Sequence, residues 1–203
     1  KGEATYVPYD KGDKEGNRWY YETPYLINWN EENVSFLKEN SGKKGQGMPV
    51  VRNPQFYFRE GFCYSDIKTF FLKAKMKGVS IHDVKSMSLF PVCELTPYYY
   101  LIMVLNTEVI ATMVYNFFNN TPSFQMNDCR LIPIPIPNEA QLEECKELFD
   151  EAVQIQKDRF ANVISDLARD EALEKIQAKI DLWACNLYGV NPDLLQGGKN
   201  MVR

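Results

Sequence analysis

Residues 53–91 read NPQFYFREGFCYSDIKTFFLKAKMKGVSIHDVKSMSLFP. The segment predicts a strand, a short helix and further strands. Ser65 is placed to cap a turn of helix containing Ile67, Phe70 and Phe71, and Gly78 to end it. From Arg52 to Lys85 the chain carries seven basic and three acidic groups, although its net charge is -4. Phe56, Tyr57, Phe58, Phe62, Tyr64 and Phe70 are interleaved with those cations. Rings among cations suit a surface that holds phosphates and presses flat groups against bases. The same composition also describes a half-buried hairpin whose lysines solvate an edge strand.

Upstream, residues 1–51 predict strands and loops. Residues 20–29 (YYETPYLINW) form an edge strand interrupted by Pro24, and residues 40–47 (NSGKKGQG) a turn-forming loop carrying Lys43 and Lys44. Downstream, the apolar run at residues 98–105 (YYYLIMVL) predicts a fully buried strand. Asn106 or Thr107 then caps a helix to about Asn119, with Val109, Ile110, Met113, Val114 and Phe117 inward. Residues 131–137 (LIPIPIP) are extended, but proline has no N–H to donate, so they are not a central strand.

From Asn138 the period changes. Leu142, Cys145, Leu148, Phe149, Ala152, Ile155 and Phe160 recur at helical spacing. So do Val163, Ile164, Leu167, Leu173, Ile176, Ile180, Trp183, Ala184 and Leu187. Two amphipathic helices, or one broken near 161–170, give an arm about 30–40 Å long, ended by Gly189. The expected fold is α+β: a mixed, mostly antiparallel domain over residues 1–137, then a helical region over 138–203. Residues 138–181 carry twelve acidic and six basic groups, so a local positive field sits on an acidic body.

The chemistry is sparse. Five widely spaced cysteines and the single histidine, His82, offer too few ligands for a structural zinc site and read as free thiols. His82 would have to serve any nucleophilic triad, and no phosphate-binding glycine motif occurs. Asp66-Ile67-Lys68 matches half of a metal-nuclease site but has no second carboxylate nearby. Asn53-Pro54-Gln55-Phe56 is close to the Asn-Pro-Pro-aromatic loop that holds a flipped adenine. It has glutamine at the third position and lacks an upstream nucleotide-binding unit, so it reads as a turn. No catalytic site is expected in these residues. With no apolar run of about 18 residues and no leader pattern, no membrane span is expected and the location is cytoplasmic. The start at Lys1 reads as a fragment of a longer protein.

Four blocks, in order, carry a resemblance. They are Lys11-Gly12, Arg18-Trp19-Tyr20 and Ile27-Asn28-Trp29; then the run from Tyr57 to Ile67; then Leu105-Asn106-Thr107 through Pro122 and Phe124 to Asp128 and the Ile132–Pro135 alternation; and last Ile180-Asp181 with Leu187-Tyr188-Gly189-Val190. Together they resemble the C-terminal target-recognition region of adenine-N6 DNA methyltransferases of the Type IIG restriction–modification and BREX phage-defence kinds. They are more distantly similar to the recognition halves of Type I specificity subunits. Tyr64, Cys63 and Asn127 stand where that family has Trp, Thr and Gly.

The resemblance implies a non-catalytic module that selects a sequence in double-stranded DNA. It would work for its own upstream domain, which binds S-adenosylmethionine and methylates adenine, with or without endonuclease activity. No cofactor is expected in the fragment itself. Under that reading Lys11, Lys14, Arg18, Lys68, Lys73, Lys75 and Lys77 bind phosphates, and Arg59, Tyr64, Ser65, Asn127 and Arg130 read bases. The alternatives are the recognition half of a Type I specificity subunit, a metal nuclease using Asp66 and Lys68, and a scaffold working through the acidic helices.

Overall fold

The computed structural model describes residues 5–13, 15–67 and 70–195. The chain is α+β, with two small three-stranded sheets. In the first sheet, Tyr6–Asp10 (β1) lies between Leu26–Asn28 (β2), antiparallel to it, and Ile81–His82 (β5), parallel to it. The second sheet is antiparallel throughout. Gly61–Ser65 (β3) is central, flanked by Lys75–Lys77 (β4) and Ser86–Leu89 (β6). At Gly61 the backbone lies close against β6: a Cβ there would lie 2.3 Å from the Leu89 carbonyl oxygen, so no side chain fits.

Between β2 and β3 stands a helix that the sequence reading missed, Glu31–Asn40 (α1). Its signals are ordinary ones. Asn30 caps it by accepting from the Asn33 N–H at 2.9 Å, Glu31 and Glu32 occupy the first turn and Lys38 the last, which suits the helix dipole.

A larger correction concerns Tyr98–Leu105 (α2), expected as a strand and found as a helix. An unbroken apolar run carries no period, so strand and buried helix look alike in it. Tyr100, Ile102, Met103 and Val104 are all fully buried. Glu108–Met113 (α3) follows, capped by Thr107, and continues as one wide turn over Val114–Phe118. Val109, Ile110 and Val114 face the core as expected, whereas Phe117 is 79% exposed. The helix expected after Ser65 is absent from the described residues: β3 runs to Ser65, and Ile67 makes an isolated bridge to Ser123.

Residues 131–137 join no sheet: 131 and 132 lie in a turn, with their N–H groups on Asp128 O and Cys129 O, and 133–137 carry no helix, strand or turn. Their carbonyls are used instead, by the Tyr188 hydroxyl on Pro133 O and the Tyr100 hydroxyl on Pro135 O, both at 2.8 Å. Met126–Cys129 (α4) precedes them. Two long helices close the chain. Glu139–Phe160 (α5) is opened by a reciprocal Asn138–Gln141 cap. Asp166–Tyr188 (α6) is opened by Ser165 and ended by Gly189 at φ 63. The two helices pair with each other and α5 also packs on α2, so one core runs from Trp19, Phe62 and Tyr64 through Tyr100 and Ile110 to Phe149, Ile180 and Trp183. Among the described residues no single helix is long and apolar enough to cross a membrane.

Candidate nucleic-acid interface

The two sheets meet at the loop of residues 83–85. There the Asp83 N–H donates to Asp10 O and the Asp83 carboxylate receives the Lys85 N–H at 2.5 Å. This loop, the end of β3 and the residues after β1 enclose a cleft of about 480 Å³ lined by Lys11, Asp13, Ser65, Asp66, Lys73 and Lys85. A second depression of about 550 Å³ shares Asp66, Asp83 and Lys85 with it and extends past Arg52 and Asn53 to Gln125 and Met126. Asn127 and Arg130 stand exposed just beyond, with Arg130 donating to the Asn127 amide oxygen at 3.2 Å.

The charges are not mutually cancelled. Asp66 is held by Lys85 at 2.5 Å, which raises the Lys85 pKa chiefly through that hydrogen bond. Asp83 accepts from Tyr9, and Asp13 is taken by Lys75. Among the described residues Lys11, Lys73, Arg52 and Arg130 have no carboxylate within ion-pair distance. Lys73 is half-buried, and desolvation lowers its pKa. Cations of this kind hold anions.

The structure therefore brings Lys11, Ser65 and Lys73 together, with Asn127 and Arg130 at the adjoining rim. It removes others. Lys75 and Lys77, expected on phosphates, are 2% and 4% exposed. The Lys75 ammonium lies 3.5 Å from Asp13. Lys77 donates to three carbonyls, those of Arg59, Gly78 and Ser80, and burial lowers its pKa. Tyr64, expected to read a base, is 1% exposed with its ring 5.6 Å from that of Phe124. Alternation explains the error, because residues 73–77 read as a surface lysine run while β4 turns both Lys75 and Lys77 inward.

Arg18 lies against the helices rather than in the cleft, donating to Gln177 at 2.6 Å. Arg59 is exposed but rests against the stacked Phe56–Phe90 pair, 5.3 Å from each ring. Lys14 and Lys68 fall outside the described residues. Lys85 and Arg52 were missed as contacts, although both belong to the basic excess of residues 52–85. The Asn53–Phe56 segment is a tight turn, with Asn53 at φ 50 and the Phe56 ring engaged by Phe90.

Motif residues from three separate blocks meet elsewhere, in a buried network. Arg18 donates to Gln177, whose amide nitrogen donates at 3.0 Å both to Asn106 O and to Asp181 Oδ1. Asp181 also accepts the Glu108 N–H at 2.7 Å. Burial pushes the Asp181 carboxyl up to about 6, with the Glu108 charge adding to the rise and the Glu108 N–H, Gln177 and Arg18 opposing it.

A raised carboxyl favours the folded state at low pH. That advantage is complete below the unfolded value and is lost as pH rises through about 6. Relative to 3.8, the difference amounts to about 3 kcal/mol. Asp181→Asn, which keeps the accepting oxygen, is expected to gain stability on wild type by about 2–3 kcal/mol between about pH 4 and pH 7. Urea unfolding at both pH values measures it, and a pH-independent difference would refute it.

No protein-family model matches the chain, and a search of curated proteins returns no match.

Proposed function

We propose that this chain is the sequence-recognition module of an adenine-N6 DNA methyltransferase of the Type IIG or BREX kind. It grips double-stranded DNA through the cleft while an upstream domain, holding S-adenosylmethionine, transfers the methyl group. The observation that carries this reading is the group of Lys11, Lys73 and Arg52, unneutralised beside the Lys85–Asp66 pair, on a chain of net charge -4. In this reading those cations and Lys85 contact phosphates and set register. Ser65, Gln125, Asn127 and Arg130 supply the short hydrogen-bonding tips that distinguish base edges. The four blocks of resemblance are consistent with it, their Arg18, Asn106 and Asp181 serving to hold the scaffold.

Titration of a labelled duplex by fluorescence anisotropy tests the proposal. With about four phosphates neutralised, affinity is expected to fall roughly 150-fold between about 50 mM and about 200 mM salt. Combined Lys11→Glu, Lys73→Glu and Lys85→Glu is expected to weaken it at low salt by about 100-fold. Lys175→Glu, exposed on α6, is the control. Binding that ignores both salt and the triple reversal would sink the proposal. A recognition half of a Type I subunit would use the same face, and a separate methyltransferase subunit in place of a fused one would distinguish it.

A further inference from the structure

Ile110, Val114 and Phe117 stand at α-helical spacing, so an unbroken helix would turn all three inward. The chain is wound otherwise. The Asn119 N–H reaches back five residues to Val114 O at 2.8 Å, which widens the turn over Val114–Phe118. Wide turns of this kind are frequent at functional sites. Here the result is that Phe118 packs against the core while Phe117 is 79% exposed.

The ring stands on a fixed base. The Asn116 amide donates to Thr112 O at 3.0 Å. The Asn119 amide nitrogen donates to Ser123 O at 2.9 Å and to the Asp128 carboxylate at 2.8 Å. Its oxygen accepts the N–H and the hydroxyl of Thr121 at 2.8 and 2.7 Å. Ser123 in turn bridges Ile67 on the cleft wall and lines the depression that holds Arg52 and Lys85. Phe117 is two residues from Asn119, about 7 Å of chain, so the ring borders the proposed duplex-binding face.

A second observation concerns charge. None of the nineteen residues between Glu108 and Asp128 is charged, in a chain where 25% of residues are. Glu108 is 8% exposed, and the Asp128 carboxylate is taken up by Asn119 and by the Gln125 N–H at 2.8 Å. Around Phe117 the segment shows solvent its amides and hydroxyls: Asn116, Asn120, Thr121, Gln125 and Asn127. Neutral tips of this kind suit base edges rather than phosphates. A strip of them beside unpaired cations fits a groove between two charged walls.

We infer that Phe117 is a wedge for the duplex. With Arg52 and Lys85 on flanking phosphates, its ring enters the stack between two neighbouring base pairs, opens that step and bends the helix axis. The inference rests on the duplex-binding reading and adds to it a distortion of the DNA centred on one step. Pyrimidine–purine steps, which unstack most easily, are the preferred ones.

Fluorescence anisotropy of the whole chain with two labelled duplexes of one sequence, one fully paired and one with a central C·C mismatch, tests it. The mismatch has already lost stacking, so wild type is expected to bind that duplex about tenfold more tightly. Phe117→Ala is expected to weaken binding to the mismatched duplex about tenfold, to lose the preference and to keep the salt dependence. Phe117→Trp is expected to keep the preference, with the emission of the added indole quenched on binding. The position is exposed, so neither variant disturbs the core. Salt-dependent binding that is equal for the two duplexes, or a preference that survives Phe117→Ala, overturns the wedge alone and leaves the ring to a protein contact. No duplex binding by wild type overturns the duplex-binding reading as well.

Discussion

Lys75→Ala is expected to destabilise the folded chain by about 3–5 kcal/mol, the usual consequence of stranding one partner of a buried ion pair. The Lys75 and Asp13 side chains are 3% and 0% exposed. Asp13 organises its loop, accepting from the Glu15 N–H at 3.0 Å and from the Asn17 N–H and amide at 2.5 and 3.1 Å. Without the ammonium, a buried carboxylate keeps those bonds but loses its counter-charge. Lys85→Ala provides the contrast. It removes an ion pair whose lysine side chain is 62% exposed and is expected to leave stability nearly unchanged, while weakening duplex binding. Urea unfolding of both variants measures the difference. A loss below about 1 kcal/mol for Lys75→Ala would return that ammonium to the surface and to the phosphates.

The second large effect is expected at Asn106. Its side chain pairs with one residue of the facing strand segment as a second strand would, accepting the Ala74 N–H at 2.9 Å and donating to Ala74 O at 2.7 Å. Both residues are fully buried. Asn106→Ala leaves the Ala74 N–H without an acceptor and opens a small cavity, a loss of about 2–4 kcal/mol. Asn106→Asp keeps the acceptor, forfeits the donor and buries a charge, so it is expected to be at least as damaging at neutral pH. Asn116→Ala, an exposed position with one local bond to Thr112 O, is expected to cost less than about 0.5 kcal/mol. Equal losses at the two asparagines, read by chemical denaturation, would contradict the account.

Both predictions turn on residues whose burial their neighbours in sequence do not announce. Lys73, Lys75 and Lys77 look equivalent as letters. In the fold Lys73 lines a cleft, Lys75 neutralises Asp13, and Lys77 ties three carbonyls together. Strand alternation places Lys75 and Lys77 on the same face, but only the segments laid over that face make it the inside: the Asp13 loop over Lys75, and the carbonyls of Arg59, Gly78 and Ser80 around Lys77. The candidate site was legible as a region, the basic excess of residues 52–85, and not as a set of contacts.

Periodicity and end signals were sufficient for α5 and for most of α6. The apolar series expected in the second helix begins at Val163 and Ile164, which lie before Asp166 and outside it, and Val163 and Leu167 are 70% and 69% exposed. Apolar residues recur at helical spacing, Asn138 and Ser165 cap the starts and Gly189 takes the left-handed turn at the close. They sufficed for residues 131–137 too, because alternating prolines cannot join a ladder. Local chemistry fixes these features wherever the segment lies. It leaves open the state of Tyr98–Leu105, an apolar run without a period. There the burial of Tyr100 and of Ile102 to Leu105 against α5, β3 and β4, with Tyr98 left exposed, suits a helix, which satisfies its own backbone hydrogen bonds and needs no neighbouring strand. The meeting of Arg18, Asn106, Gln177 and Asp181 is likewise tertiary. Those residues lie up to 163 positions apart in the chain, and only the docking of the helical pair on the sheets brings their polar groups within bonding distance.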